Sequence, residues 1–376
     1  MVRLSLSIPG KLILLGEYAV LQNAPAIVAA VNRRLRLTVK SVTSSHCLLT
    51  LPHLGGDVPF HVDGGIATPL QTHQPRSNLR YDRILTLIGA ALREGGWSKR
   101  DFGNVQVIVD SSEFFTPDGT QKLGLGSSAA LTVGLLSAVR QLRQQDSIDK
   151  QQLLLDSHRL HNRFQGRAGS GVDVAASIYG GILQYRMGQR ASEFAPAARS
   201  VAMPKNLQMR FVWTGQSSST PDFLGKLANY RDHDRLSFNR TMQCLVELAQ
   251  EGCEAFSDGR INAFLATVQS YYHWLARLGS ESRLPIISAA HRRIARTVYA
   301  SGGFYKPSGA GGGDFGVIFG SNDSHIDEIA QRVANDGFTI TDVKVGADGI
   351  RFHAHADKGG INDSIRLPQN VPAIGR

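Results

Sequence analysis

Apolar and polar residues alternate along residues 2–8, which predicts a strand, and the aliphatic, β-branched runs at 26–39 and 105–109 predict two more. The pattern then changes period. Residues 129–142 keep apolar positions at helical spacing with Gly134 as the sole Gly/Pro interruption, so a helix is predicted to begin at Ser127 and Ser128. Further helices are predicted at 147–164, closing near Gly166, and at 172–178, followed by a strand at 182–186. The Ala-, Ser- and Pro-rich stretch 190–204 reads as a connection, and 209–213 as a short strand beyond it. The second half carries helical patterns at 220–230, 235–251, 261–278 and 285–300. A Gly-rich loop at 308–313 comes next, then a strand at 315–319, a helix at 325–336, and a hairpin-like pair at 339–345 and 350–353. A sheet-based first part and a second part of helices with a small antiparallel sheet define an α+β chain. The expected division is 1–200, 201–356 and a polar tail at 357–376, whose Pro368 and Pro372 favour fraying.

The composition fits this division. With 376 residues, 42% hydrophobic and 19% charged, the chain can fill two packed lobes. Its start lacks a basic segment, apolar stretch and cleavage site, and no apolar run approaches the roughly 18 residues of a spanning helix. A cytoplasmic enzyme without a membrane partner is expected. Cys47, Cys244 and Cys253 are too scattered for a disulfide framework and belong to no Cys/His cluster. The net charge of +10 suits acidic ligands. The basic residues are dispersed, as at Arg33, Arg34 and Arg36, Arg140 and Arg143, and Arg292, Arg293 and Arg296, without interleaved aromatics, which speaks against nucleic acid.

The segment Lys122-Leu-Gly-Leu-Gly-Ser-Ser-Ala-Ala130 has the chemistry of a phosphate cradle. Its glycines allow backbone N–H groups to approach an anion, two hydroxyls open the predicted helix, and the small Ala129 and Ala130 leave room. It matches neither the Walker spacing nor GxGxxG. His158 and His161 lie three apart on a predicted helix without further ligands at metal-binding spacing, and are expected to be non-catalytic. Arg76, Arg80 and Arg83, within 75–93, either border a nucleotide or lie on ordinary surface.

Pro9-Gly-Lys-Leu-Ile-Leu-Leu-Gly-Glu-Tyr-Ala-Val-Leu21, the loop at 122–130 and Lys306-Pro-Ser-Gly-Ala-Gly-Gly-Gly-Asp-Phe-Gly316 resemble, in order and spacing, the three motifs of the GHMP small-molecule kinases. The resemblance covers about 300 residues. It implies a two-lobe GHMP kinase fold, an N-terminal domain like ribosomal protein S5 domain 2 and a ferredoxin-like C-terminal domain, with the active site between them. Within the superfamily, Asp314 and the stretch Trp213-Thr-Gly-Gln-Ser-Ser-Ser-Thr220 are more similar to the phosphomevalonate kinases than to the mevalonate kinases. Residues 169–181 are similar to the segment that carries the active-site aspartate in both, which falls on Asp173. One departure counts against the mevalonate branch: Asn162 stands where those enzymes carry a magnesium-binding glutamate.

The resemblance implies ATP and Mg²⁺ as cofactors. It implies Lys11 and Asp173 as catalytic residues, Lys122, Gly124, Leu125, Gly126, Ser127, Ser128 and Ala129 as the nucleotide loop, and Ser128 with the nucleotide's phosphates as metal ligands. The acceptor is expected at Lys11, Ser170, Gly171, Ser217, Ser218, Ser308, Gly309, Ala310, Gly311 and Gly312, with Ser219 and Thr220 as further donors. Lys11 is expected at the end of the first strand, within reach of Asp173. That carboxylate is either a base for a hydroxyl acceptor or, for a dianionic phosphate, an orienting group that keeps Lys11 protonated. The implied reaction converts ATP and 5-phosphomevalonate to ADP and 5-diphosphomevalonate, in a monomer or homodimer. Mevalonate kinase is the first alternative and a non-catalytic ligand sensor the second; a diphosphomevalonate decarboxylase fits the motifs less well.

Overall fold

Strand β1 (Arg3–Leu15) runs antiparallel to β2 (Ala26–Ser41) at the heart of the first sheet. The computed structural model describes residues 3–53, 55–70, 79–96, 103–143, 148–166, 169–188, 196–218 and 220–353. β1 continues well past Pro9 and Gly10, so Lys11 lies inside the strand rather than at its end. The ladder allows this by a shift of register: Pro9 faces Arg34 while Lys11 faces Ala30, and β2 bulges where proline has no N–H to give.

The sheet is completed by β3 (Cys47–Thr50), β4 (Asp57–Asp63), β5 (Ile66–Pro69), β6 (Val105–Asp110), β7 (Ile182–Arg186) and β8 (Ala197–Ser200). Its path runs β1-β2-β6-β3-β4-β5, with β7 on β2 and β8 outside it. Helices α1 (Leu79–Glu94), α2 (Ser127–Leu142), α3 (Lys150–Gln165) and α4 (Val172–Tyr179) accompany it. α2 is buried continuously from Ala129 to Val139, its Ala, Val and Leu side chains lying between β1 and the other helices. Asp149 caps α3 by accepting from the N–H groups of Gln151 and Gln152.

The second lobe pairs β9 (Gln208–Trp213), β10 (Phe304–Pro307), β11 (Phe315–Gly320) and β12 (Thr339–Thr341) in the order β10-β11-β9-β12. Around it stand α5 (Thr220–His233), α6 (Arg235–Ser257), α7 (Ile261–Ser282), α8 (Ala289–Ala300) and α9 (Asp323–Asn335). One apolar cluster, from Leu12 and Leu14 on β1 to Phe264 on α7 and Phe319 on β11, joins the two halves.

The expected hairpin at 339–353 does not form. β12 pairs with β9, whereas β13 (Arg351–His353) crosses back and pairs with β1 in the first sheet. Bridges from Val345 to Val31 and from Asp348 to Gly180 stitch the segment between them to the first lobe. The stretch 190–204, read as a connection, contains β8, held against β7. The tail at 357–376 and Ser219 lie outside the described residues. Among the described residues, no helix is long and apolar enough to cross a membrane.

Candidate active site

The glycine loop sits where β1 meets α2. Gly126, the residue before α2, has φ +83 and no side chain with which to cap the helix, so the first-turn N–H groups at Ser127, Ser128 and Ala129 lack a side-chain cap. Such an end attracts anions by its N–H groups and its dipole. The loop is pinned to β1 by the Lys11 N–H, which donates to Leu125 O at 2.9 Å, and the Leu125 side chain is buried. Upstream, Lys122 bridges to Phe115.

Lys11 and Asp173 flank this loop. A Cβ placed on Gly126 would stand 3.4 Å from Lys11 Cγ and 3.6 Å from Asp173 Cβ, ordinary contact distances, so both side chains lie against the loop and it is the φ of +83 that favours glycine here. Among the described residues the two charged groups form no ion pair within 4.0 Å; they face the same space without touching. Asp173 lies in the first turn of α4, its Oδ1 accepting from the Val174 N–H at 3.0 Å. The turn before it is held by Tyr185, whose hydroxyl donates to Ser170 O at 2.6 Å, and Gly171 supplies the left-handed residue that starts the helix.

The third motif closes the site from the second lobe. Ser308 Oγ accepts from the Ile13 N–H on β1 at 2.9 Å, Tyr18 donates its hydroxyl to Ala310 O, and the Gly312 N–H donates to Ile286 O at 2.9 Å. Asp314, at φ +56, is buried and accepts from both the N–H and the hydroxyl of Ser218, at 3.1 and 2.8 Å. Burial pushes its carboxyl above the usual carboxylate range, while the Ser218 bonds and the nearby Lys11 ammonium act against that. Ser218 thus directs its donors at Asp314, and Ser217 is exposed beside it.

On the other side of the loop a pocket of about 140 Å³ is lined by Leu35, His53, Arg80, Phe115, Lys122 and Ser128 among others. The Arg80 guanidinium lies 5.3 Å from the Phe115 ring centre and Arg83 lies 5.5 Å from that of Phe164. Partial burial, then the charges of Arg83 and Arg80, lower the Lys122 pKa. An apolar, aromatic slot with three cations at the mouth of a phosphate-type loop has the chemistry to hold a nucleotide. A second chamber of about 920 Å³ adjoins Gly169, and its lining includes His158, Arg159, Arg163 and Arg231.

Some of these contacts escape a sequence reading. His161, set aside as non-catalytic, is buried with its Nε2 3.0 Å from Ser128 Oγ, and burial lowers its pKa. Asn162 accepts from the Gly169 N–H at 2.8 Å, a structural use of the amide that stands at the glutamate position. Glu17 and Lys306, both inside the motif segments, form a buried ion pair between the lobes. Charged residues normally face water, so pattern alone does not single out this pair. Among the described residues no cluster of three or more His, Cys, Asp or Glu could hold a metal ion. The Ser128 hydroxyl and the Asp173 carboxylate are hard oxygen donors near the loop, which suits a Mg²⁺ carried in by a nucleotide rather than a resident ion.

Residues 96–181 match the family model of the GHMP kinases N terminal domain. That domain lies in a chain whose fold is shared with solved phosphomevalonate and mevalonate kinases. A phosphomevalonate kinase from Streptomyces sp. (strain CL190) is 29% identical over 336 residues, which cover 82% of this chain and 87% of that one. A mevalonate kinase from Archaeoglobus fulgidus is 28% identical over 317 residues, 84% of this chain and 90% of its own length. The Streptococcus pneumoniae phosphomevalonate kinase in complex with phosphomevalonate and AMPPNP shares the fold, with a TM-score of 0.71 at 18% identity, covering 92% of this chain and 100% of that one.

Proposed function

We propose that this kinase transfers the γ-phosphoryl group of ATP to (R)-5-phosphomevalonate, giving (R)-5-diphosphomevalonate for isoprenoid synthesis. The observation that carries the reading is the Ser218–Asp314 contact. The two sequence features that separate the phosphomevalonate from the mevalonate branch, far apart in the chain, meet there beside Lys11 and Gly124. The arginines among the described residues that line the chamber beside Gly169, Arg159, Arg163 and Arg231, support an anionic acceptor.

In this reading the loop at 122–130 receives the triphosphate on its N–H groups. Lys11 neutralises charge on the moving phosphoryl group, and residues 308–312, with Ser170, Gly171, Ser217 and Ser218, shape the acceptor side. Mg²⁺, bound by Ser128 and the nucleotide, supplies further charge neutralisation. An acceptor phosphate with a second pKa of about 6 is already nucleophilic near neutrality, so Asp173 orients Lys11 and the acceptor instead of removing a proton. Residues 1–200 and 201–356 are taken as the two domains of a cytoplasmic enzyme, monomeric or homodimeric.

Coupled ADP release with MgATP, comparing mevalonate, 5-phosphomevalonate and 5-diphosphomevalonate, tests the proposal. Turnover confined to 5-phosphomevalonate is the expected result. The second reading is mevalonate kinase, favoured by the 28% identical Archaeoglobus relative and by a carboxylate at Asp173 able to serve as a base. Preference for mevalonate would establish it in place of the first.

A further inference from the structure

Glu17 follows Gly16 at the turn that ends β1, and Lys306 lies in β10 of the other lobe. Their side chains are 2% and 0% exposed, so this ion pair is sealed from water. Lys306 Nζ donates to Glu17 Oε1 and, at 2.6 Å, to Pro307 O, while the Gly309 N–H reaches the same Oε1 at 3.4 Å. The backbone of Glu17 is held in turn from α7, where Tyr271 donates its hydroxyl to Glu17 O at 2.6 Å. The neighbouring Tyr18 donates to Ala310 O, and Ile13 N–H donates to Ser308 Oγ. Four side-chain contacts, Lys306–Glu17, Gly309–Glu17, Ala310–Tyr18 and Ser308–Ile13, therefore fasten residues 306–310 to the strand and turn that follow Lys11.

Burying two charges is expensive, and well-packed apolar side chains usually hold two surfaces together as well or better. What apolar side chains lack is direction. The carboxylate aims one oxygen at both Nζ and the Gly309 N–H, while Glu17 Oε2 has no hydrogen-bond partner among the described residues. Cohesion alone gives no reason for that arrangement, whereas fixing one backbone path does.

We propose that Glu17 and Lys306 are positioning residues that set the backbone of residues 308–310 against β1, so that the acceptor side of the site is formed at a fixed distance from Lys11. The inference rests on the reading of 308–310 as the acceptor side. Neither residue touches the reacting atoms; both act through Ser308, Gly309 and Ala310.

The test is the double variant Glu17→Leu/Lys306→Met, which removes the charges while keeping the volume apolar. Thermal unfolding, a fluorescent ATP analogue, steady-state kinetics with 5-phosphomevalonate, and amide hydrogen exchange at 308–313 are measured on the full chain. The expected result is a folded protein with nucleotide affinity within about twofold of the parent and kcat/KM for the acceptor down about 100-fold, the scale of loss for a misplaced reacting group. Exchange at 308–313 is expected to rise by about 10-fold or more while that at 124–131 stays unchanged. A purely cohesive role predicts instead that the double variant recovers parental kcat/KM and parental protection, and that outcome overturns the proposal. If the double variant does not fold, Glu17→Gln, which keeps the shape and removes the charge, is read by the same two outcomes. If the parent turns over none of the acceptors, the substrate reading falls, and exchange at 308–313 still decides the positioning role.

Discussion

The Asp314 carboxylate rests against the α-carbon of Gly124, so that a Cβ on Gly124 would overlap the carboxyl group. Both residues have positive φ, +70 for Gly124 and +56 for Asp314, and only the glycine adopts it without strain. The phosphate-type loop and the third motif are therefore built as one contact. Gly124→Ala is expected to weaken binding of a fluorescent ATP analogue by about 10-fold, through loop strain plus the collision. Asp314→Gly removes the collision but not the strain of an alanine at φ +70, so in the Gly124→Ala background it should restore part of the affinity. A double-mutant cycle with additive effects would rule this coupling out.

Lys11 and Asp173 converge on Gly126 without an ion pair, which separates their expected roles. Lys11→Ala removes charge neutralisation at the transferring group and should lower kcat by about 100-fold or more. If the acceptor is a phosphate, Asp173→Asn, which keeps size and part of the hydrogen bonding, should cost about 10-fold, since no strong base is needed. Initial rates by coupled ADP release at saturating ATP make the comparison. A larger loss in Asp173→Asn than in Lys11→Ala would instead assign base catalysis and a hydroxyl acceptor.

The pocket behind the loop gives a prediction for the nucleotide. Phe115 is stacked by Arg80, and Lys122 sits in the field of Arg80 and Arg83. Lys122→Ala should raise KM for ATP by about 10-fold at low ionic strength, and the difference from the parent should shrink as salt rises, because exposed charges are screened over about 10 Å at 0.1 M. Phe115→Ala should weaken ATP by a similar factor at every salt concentration, its contribution being apolar. KM measured across a salt series distinguishes them, and parallel salt curves for the two variants would contradict the assignment.

Much of this site is legible in the chain because its parts are local. A helix begins at Ser127 because glycines end and small apolar residues start there, and the strands at 26–41 and 105–110 follow from β-branched runs. What the pattern misses is long-range. Lys11 looks terminal because Pro-Gly normally ends a strand, and the register shift against β2 that lets β1 continue is visible only in the partner. β3 and β5 are only four residues long, β4 buries Val58, Pro59 and Phe60 in a row instead of alternating, and β13 joins β1 instead of its sequence neighbour β12. Glu17 and Lys306 are invisible as a pair until the lobes are together.

His291 yields a prediction about pH. It is fully buried on α8, with Nε2 3.0 Å from Gly313 O and Nδ1 2.7 Å from the Tyr305 hydroxyl. A carbonyl can only accept, so Nε2 carries the proton and the neutral ring accepts from Tyr305 at Nδ1. Burial lowers the pKa from 6.5 to about 4, against the smaller opposing effect of the Gly313 bond. The unfolded chain therefore binds more protons than the folded one between these values, and stability rises with pH across that window. Its contribution is complete above pH 6.5 and is lost progressively as pH falls toward 4, by about 3 kcal/mol at most. His291→Gln can still donate to Gly313 O and accept from Tyr305 but does not titrate. It is expected to be less stable than the parent near neutrality and to lose less on acidification, so the urea midpoints of the two proteins should draw together as pH falls through the window. Midpoints that fall in parallel would show that another group governs the acid limb, and would leave His291 as a packing residue beneath the Gly313–Asp314 turn.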